Sequence, residues 1–179
     1  MSDTFLPFSK PMIDEATIEE VVDCLRSGWI TTGPKVKRFE GALKEYLSAK
    51  HTMVLSSGTA GLHLSLLGLN LEPGDEVITT PMTFVATTNA IIFAGGKPVF
   101  VDVNPETYNI DVTQIETAIT NKTRAILPVH FAGLPVDLDP IYAIAKKHNL
   151  RVIEDAAHAI GTEYKGKRIG SFGDTQIYS

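Results

Sequence analysis

The sequence has a single cysteine, Cys24, so no disulfide can close within the chain, and a reducing, cytoplasmic compartment is expected. Within a helical apolar pattern that thiol reads as a small core residue rather than a nucleophile. Basic residues are in deficit. Sixteen Lys and Arg against 21 Asp and Glu leave a net charge of −5, with no basic tract, which argues against a nucleic-acid partner. Long apolar runs are missing too. The window from Phe84 to Gly95 is interrupted by Thr87, Thr88 and Asn89 and is too short to span a bilayer, so no membrane insertion is expected. The N-terminus, Met1-Ser-Asp-Thr-Phe-Leu-Pro7, lacks a charged region followed by an apolar one. The five histidines never fall in His-x-x-x-His, and one cysteine cannot build a zinc site, so no metal is expected. Three further motifs are absent. Without Gly-x-x-x-x-Gly-Lys-Ser/Thr there is no nucleoside-triphosphate loop, without Gly-x-Gly-x-x-Gly no dinucleotide fingerprint, and without Gly-x-Ser-x-Gly no nucleophile elbow.

What is present is alternation. Residues 1–50 read as an N-terminal arm, Phe5-Leu-Pro-Phe8, followed by two helices. Asp14 caps the first, with Ile18, Val21, Val22 and Leu25 on one stripe. Pro34 opens the second, in which Val36, Phe39, Leu43 and Leu47 share a face. From residue 51 short apolar runs alternate with helical stretches: strands at Thr52–Leu55, Glu76–Thr79, Pro98–Asp102, Arg124–His130, Arg151–Glu154 and Thr175–Ser179. Helices are expected at Gly61–Gly68, after a Thr83 cap, after Asp111 or Thr113, and over Asp137–His148, with a hairpin at Glu163–Ile169. Strands separated in this way indicate βαβ units and an α/β fold with a mainly parallel sheet flanked by helices.

Three stretches carry chemistry, each with two readings. Ser56-Ser-Gly-Thr-Ala60 lies between a strand and a helix. It is a simple N-cap, or an anion cradle in which Gly58 admits a close approach and Ser57 and Thr59 add hydroxyls. Phe84, just after a strand, is a core residue or a platform for a planar ligand. Asp155 and His158 are a salt-bridge or core pair, or an acid and an imidazole at the rim where α/β sheets bind ligands. A buried carboxylate there needs a cation or several hydrogen bonds, and a protonated heteroaromatic nitrogen would serve. His130 also closes a strand near that rim.

In order along the chain stand Gly28-Trp-Ile-Thr-Thr-Gly-Pro34, Ser56-Ser-Gly-Thr-Ala-Gly61, Pro81-Met-Thr-Phe84 and Glu154-Asp-Ala-Ala-His158. Together they resemble the DegT/DnrJ/EryC1/StrS family of pyridoxal-phosphate sugar aminotransferases, from about Phe5 to Ser179. The resemblance implies the large domain of fold-type I pyridoxal-phosphate transferases, incomplete over residues 51–179, with the small C-terminal domain absent. It implies that Asp155 pairs with the pyridine nitrogen of pyridoxal 5'-phosphate and that Phe84 stacks on the ring. Thr59, the Ala60 backbone and Ser179 would hold the phosphate, and His158 would lie near the ring's 3-oxygen. Trp29, Ile30, Thr31 and Thr32 would border a nucleotide-sugar substrate. Glutamate would supply the amino group, 2-oxoglutarate would leave, and the full-length protein would be a homodimer serving cell-envelope or antibiotic sugar synthesis. The family's Schiff-base lysine follows the serine matching Ser179 and would lie beyond it, so the isolated chain is expected not to transaminate. Two alternatives stand beside this: a non-catalytic fragment of an interrupted gene, and a dehydratase of the same family.

Overall fold

The computed structural model describes residues 10–179. Helix α1 (Glu15–Arg26) begins where expected, with Asp14 Oδ1 accepting from the Thr17 N–H at 2.9 Å. Helix α2 (Pro34–Leu47) starts on the proline. Lys35 and Arg38 each reach Glu20 Oε2 at 2.7 Å and tie the two helices together. These pairs are exposed, so solvent screening leaves them little to contribute to stability. The apolar stripes of both helices stay largely in contact with solvent. No residue of α1 is buried, and of the four residues expected to share the inner face of α2 only Leu47 is. The Phe5–Phe8 arm lies outside the described residues.

One expected strand does not form. Thr52–Leu55 is extended but joins no sheet. Its polar groups go to α2 instead: the Val54 N–H donates to Glu40 Oε1 at 2.9 Å and the Thr52 hydroxyl to the Glu40 carbonyl at 2.7 Å. Apolar alternation identified an extended segment, but a side chain took the place of a neighbouring strand.

The remaining elements alternate as expected: α3 (Gly58–Leu67), β1 (Glu76–Thr79), α4 (Val85–Phe93), β2 (Lys97–Phe100), α5 (Val112–Ile115), β3 (Thr123–Ile126), α6 (Leu138–His148) and β4 (Arg151–Asp155). A two-stranded hairpin, β5 (Glu163–Tyr164) and β6 (Lys167–Arg168), precedes β7 (Thr175–Ile177). The five longer-range strands form one parallel sheet in the order β2-β1-β3-β4-β7. The chain leaves β1 toward β2 on one side and returns to β3 on the other. The strand order therefore reverses between β1 and β3, and the carboxyl ends there form the crevice in which open α/β sheets bind ligands. Several strands are shorter than expected. The stretch Leu127–His130 continues β3 less regularly, through the Leu127 N–H donated to the Ile78 carbonyl and an isolated parallel bridge between Val129 and Asp155.

Both faces of the sheet are buried, and side chains alternate between them. Val77, Ala125, Leu127, Ile153 and Ile177 pack with Leu62 and Leu66 of α3 and Ala90 and Ile91 of α4. Ile78, Ile126 and Val152 pack on the other face with Ile115, Leu138, Ile141 and Ala145 from α5 and α6. This alternation decides the site. Asp155, two residues after Ile153, emerges on the α3/α4 side, and Glu154, two after Val152, on the α6 side. No described helix is long and apolar enough to cross a membrane.

Candidate active site

Asp155 ends β4 with 5% of its surface exposed. Its Oδ2 accepts from the Thr87 hydroxyl at 2.7 Å and its Oδ1 from the Ala157 N–H at 3.2 Å. Both donors are neutral, and among the described residues no cationic side chain forms an ion pair with it. A carboxylate this buried is expensive without a positive partner. Each of its oxygens has one protein donor and retains accepting capacity. It borders a recess of about 160 Å³ formed by Met82, Thr83, Phe84, Phe131 and His158. Asp155 therefore presents the charge that a protonated ring nitrogen would neutralise.

Thr83 does not cap α4 as expected. The cap position is Phe84, with no side-chain hydrogen bond, and the Thr83 hydroxyl lies 2.7 Å from that of Thr87. Phe84 is 76% exposed, so it belongs to no core, and its ring is available at the recess.

The anion end is built by α3 and β7. Register pairs Asp155 with Ile177, and the Ala156 N–H donates to the Ile177 carbonyl at 2.8 Å. The first turn of α3 lies directly on β7. A methyl group placed on Gly61 would meet Ile177 at 2.9 Å, and one on Gly58 would meet Ser179 Cβ at 2.9 Å and Oγ at 3.3 Å. Glycine at 58 thus lets the Ser179 hydroxyl sit against the N-terminus of α3, where N–H groups and the helix dipole favour an anion. Ser57 is the N-cap, and its Oγ accepts from the Ala60 N–H at 3.1 Å. The cap and the cradle are therefore the same turn. The Ala60 amide is committed to Ser57, and Gly58 faces Ser179.

His130 lines the same recess, and its ring also belongs to a second constellation, one that inspection of the sequence missed. Glu154 is fully buried. Its Oε1 accepts from the Tyr142 hydroxyl and from Gln176 Nε2, both at 2.6 Å, and its Oε2 lies 2.9 Å from His130 Nε2. His130 Nδ1 accepts from the Val136 N–H at 3.2 Å, which leaves the ring proton on Nε2 and makes it the third donor to Glu154. Burial, then the Glu154 charge and its hydrogen bond, push the Tyr142 phenol well above its ordinary range. Gly173, at φ +85°, closes this network, because a methyl group there would fall 2.1 Å from Tyr142 Oη. The cluster joins β4, α6, β7 and the loop after β3 behind Asp155. Its sequence signal was the second carboxylate of Glu154-Asp155, but its partners come from 24, 12 and 22 residues away.

His158 is exposed and lines the recess, as the pairing with Asp155 suggested. Trp29, Ile30, Thr31 and Thr32 do not reach it. The Trp29 indole donates to the Thr32 carbonyl at 3.1 Å and folds over Gly33, and Ile30 lines a separate shallow groove between α1 and α2. Among the described residues no group of acidic, histidine or cysteine side chains could hold a metal ion.

The arrangement fits pyridoxal phosphate: an unpaired buried carboxylate, an exposed aromatic ring beside it, and an anion cradle whose glycine admits Ser179. Comparison with known proteins agrees. The model of the DegT/DnrJ/EryC1/StrS aminotransferase family matches residues 11–179. The UDP-4-amino-4-deoxy-L-arabinose–oxoglutarate aminotransferase of Shewanella sediminis is 53% identical over 97% of this chain and 45% of its own length. The spore coat polysaccharide biosynthesis protein SpsC of Bacillus subtilis is 48% identical over 98% of this chain and 45% of its own. The PLP form of Spr1654 from Streptococcus pneumoniae superposes with a TM-score of 0.93 at 42% identity, covering 97% of this chain and 48% of that one. The chain spans about half the length of the curated relatives it matches. It belongs to the DegT/DnrJ/EryC1/StrS aminotransferase family.

Proposed function

We propose that this chain forms the cofactor-binding part of a pyridoxal-phosphate transaminase that moves an amino group from glutamate to a keto nucleotide sugar. The observation that carries the proposal is Asp155, a buried carboxylate held by two neutral donors and facing a recess. When bound, the cofactor ring supplies the electron sink of transamination. Asp155 would hold a proton on the ring nitrogen, which keeps that sink effective. Phe84 would cover one ring face. Thr59, the first turn of α3 through Ala60, and Ser179 would receive the phosphate. His158 would stand near the 3-oxygen, and Trp29 to Thr32 would border the sugar nucleotide at the edge of the α1–α2 region. Residues 1–50 would then serve as the arm and substrate-facing helices, and 51–179 as the cofactor-binding domain. We place the Schiff-base amine outside these 179 residues and expect no turnover by them alone; that no lysine among the described residues lines the recess supports this reading.

Thr31-Thr-Gly-Pro34, Pro128-Val-His130 and Tyr164-Lys-Gly166 fit the branch that makes UDP-4-amino-4-deoxy-L-arabinose, and this narrows the proposed substrate to a 4-keto sugar on a nucleotide. A homodimer is part of the proposal. It is supported by Leu64 and Leu67 of α3 and Ile92 and Phe93 of α4, all exposed on one side of the sheet. Calorimetric titration with pyridoxamine phosphate tests the cofactor site, because that form needs no lysine to bind. Asp155→Ala should weaken binding at least tenfold, about the loss of one hydrogen-bonded charge. Equal affinity of the variant would refute the assignment.

A further inference from the structure

We propose that Thr83 and Thr87 form a hydroxyl relay that positions Asp155 and makes Thr83 a hydrogen-bond acceptor at the edge of the recess. This rests on the assignment of Asp155 to a ring nitrogen and extends it to two residues outside that contact.

The geometry orders the protons. Thr87 is fully buried on the inner face of α4, and its hydroxyl meets Asp155 Oδ2 at 2.7 Å. A carboxylate facing a cationic ring nitrogen has no proton to give, so Thr87 is the donor. A hydroxyl has one proton, and that of Thr87 is then used. The 2.7 Å contact between Thr83 and Thr87 must accordingly be donated by Thr83. Thr83, only partly buried and lining the recess, is left with lone pairs and no free proton. It can accept from a bound molecule but cannot donate to one. If Asp155 instead carried a proton, every bond in the chain could reverse, and Thr83 would present a donor.

The same relay explains local features that helix formation alone does not. A threonine just before α4 would ordinarily cap it, yet α4 has no side-chain cap because the Thr83 hydroxyl points to Thr87. A buried threonine on a helix can bond its hydroxyl back to the preceding turn, whereas Thr87 reaches across 68 residues to β4. Its effect is to hold Oδ2 from the α4 side while the Ala157 N–H holds Oδ1. Together they fix the carboxylate plane that a ring nitrogen meets.

The test uses the full-length protein and two probes: pyridoxamine phosphate and its carbon analogue, in which C–H replaces the ring nitrogen. Affinities are measured by calorimetry for the wild type, Asp155→Asn, Thr87→Val, Thr87→Ser and Thr83→Val. Thr87→Val should weaken pyridoxamine phosphate binding about tenfold, Thr87→Ser should restore it to within about twofold, and Thr83→Val should lose about threefold. With the carbon analogue, Thr87→Val and the wild type should bind alike, because no ring N–H meets Asp155. A thermal melt of each variant separates misfolding from loss of the relay, and the serine variant carries the conclusion if valine unfolds the protein. Wild-type affinity in both Thr87→Val and Thr83→Val would overturn the relay, as would an equal loss on both probes. Failure of the wild type to bind, or indifference to Asp155→Asn, would instead overturn the cofactor assignment and the relay with it.

Discussion

Glu154→Gln keeps the shape of the buried carboxylate and removes its charge, and the surrounding geometry predicts the cost. Three donors converge on Glu154: Tyr142 Oη and Gln176 Nε2 at 2.6 Å, and His130 Nε2 at 2.9 Å. With its oxygen toward Tyr142 and Gln176, the new amide turns its NH₂ toward the His130 N–H. His130 cannot answer by moving its proton, because its Nδ1 accepts from Val136. Flipping the amide moves the conflict to the Gln176 NH₂. One buried donor is orphaned in either case, at about 1–3 kcal/mol, and the two remaining bonds weaken by about 1 kcal/mol each as their acceptor becomes neutral. Relief of the carboxylate's desolvation offsets part of this. We expect a net loss of about 2 kcal/mol, or about 4–8 °C in Tm for a domain of this size. Urea unfolding followed by far-ultraviolet circular dichroism measures it. Glu163→Gln is the control, since Glu163 is exposed and only 3.9 Å from Arg168, and it should stay within about 0.5 kcal/mol of the wild type. A Glu154→Gln variant as stable as the wild type, or more so, would show that desolvation outweighs the three donors and refute the reasoning.

Gly173→Ala should destabilise by at least about 2 kcal/mol, combining the left-handed backbone penalty with a collision at Tyr142 Oη; unfolding in urea checks it, and a neutral result would mean the loop relaxes freely. Combined with Glu154→Gln it should cost less than the sum, because both damage one network. Gly58→Ala should push Ser179 from the α3 terminus and weaken pyridoxamine phosphate about tenfold, measured by titration, while unchanged affinity would remove Ser179 from the phosphate site. Glu76 supplies a pH signature. The Thr120 hydroxyl first, and Lys97 second, hold its carboxyl below its ordinary 4.5. Its contribution is therefore complete above that value and is lost as the pH falls through the lower folded one. Glu76→Gln should flatten the decline of stability below pH 4.5 in acid unfolding curves, and identical slopes would exclude it.

Local patterns were the legible part of this chain. The period of apolar residues placed six helices and the parallel strands, and Asp14, Pro34 and Ser57 marked helix starts by their chemistry. The ordered motifs also located the rim, since residues at strand ends must emerge where a parallel sheet ends. Where expectation failed, another side chain had intervened. Glu40 satisfied Thr52 and Val54 so that no strand formed, and Thr87 drew the Thr83 hydroxyl away from its helix. His130 does line the recess beside Asp155, as expected, but its ring serves Glu154 and Val136 with both nitrogens occupied.

The sequence by itself determined the α/β class, the family, and the presence of an acid and a polar Ser/Gly/Thr turn at strand ends, because these follow from periodicity, backbone chemistry and ordered local motifs. Only the tertiary structure decided which of two adjacent carboxylates faces the recess. Alternation along β4 sends Asp155 to the α3/α4 side and Glu154 to the α6 side, and only the packed sheet supplies hydroxyls to one and a histidine, a tyrosine and a glutamine to the other.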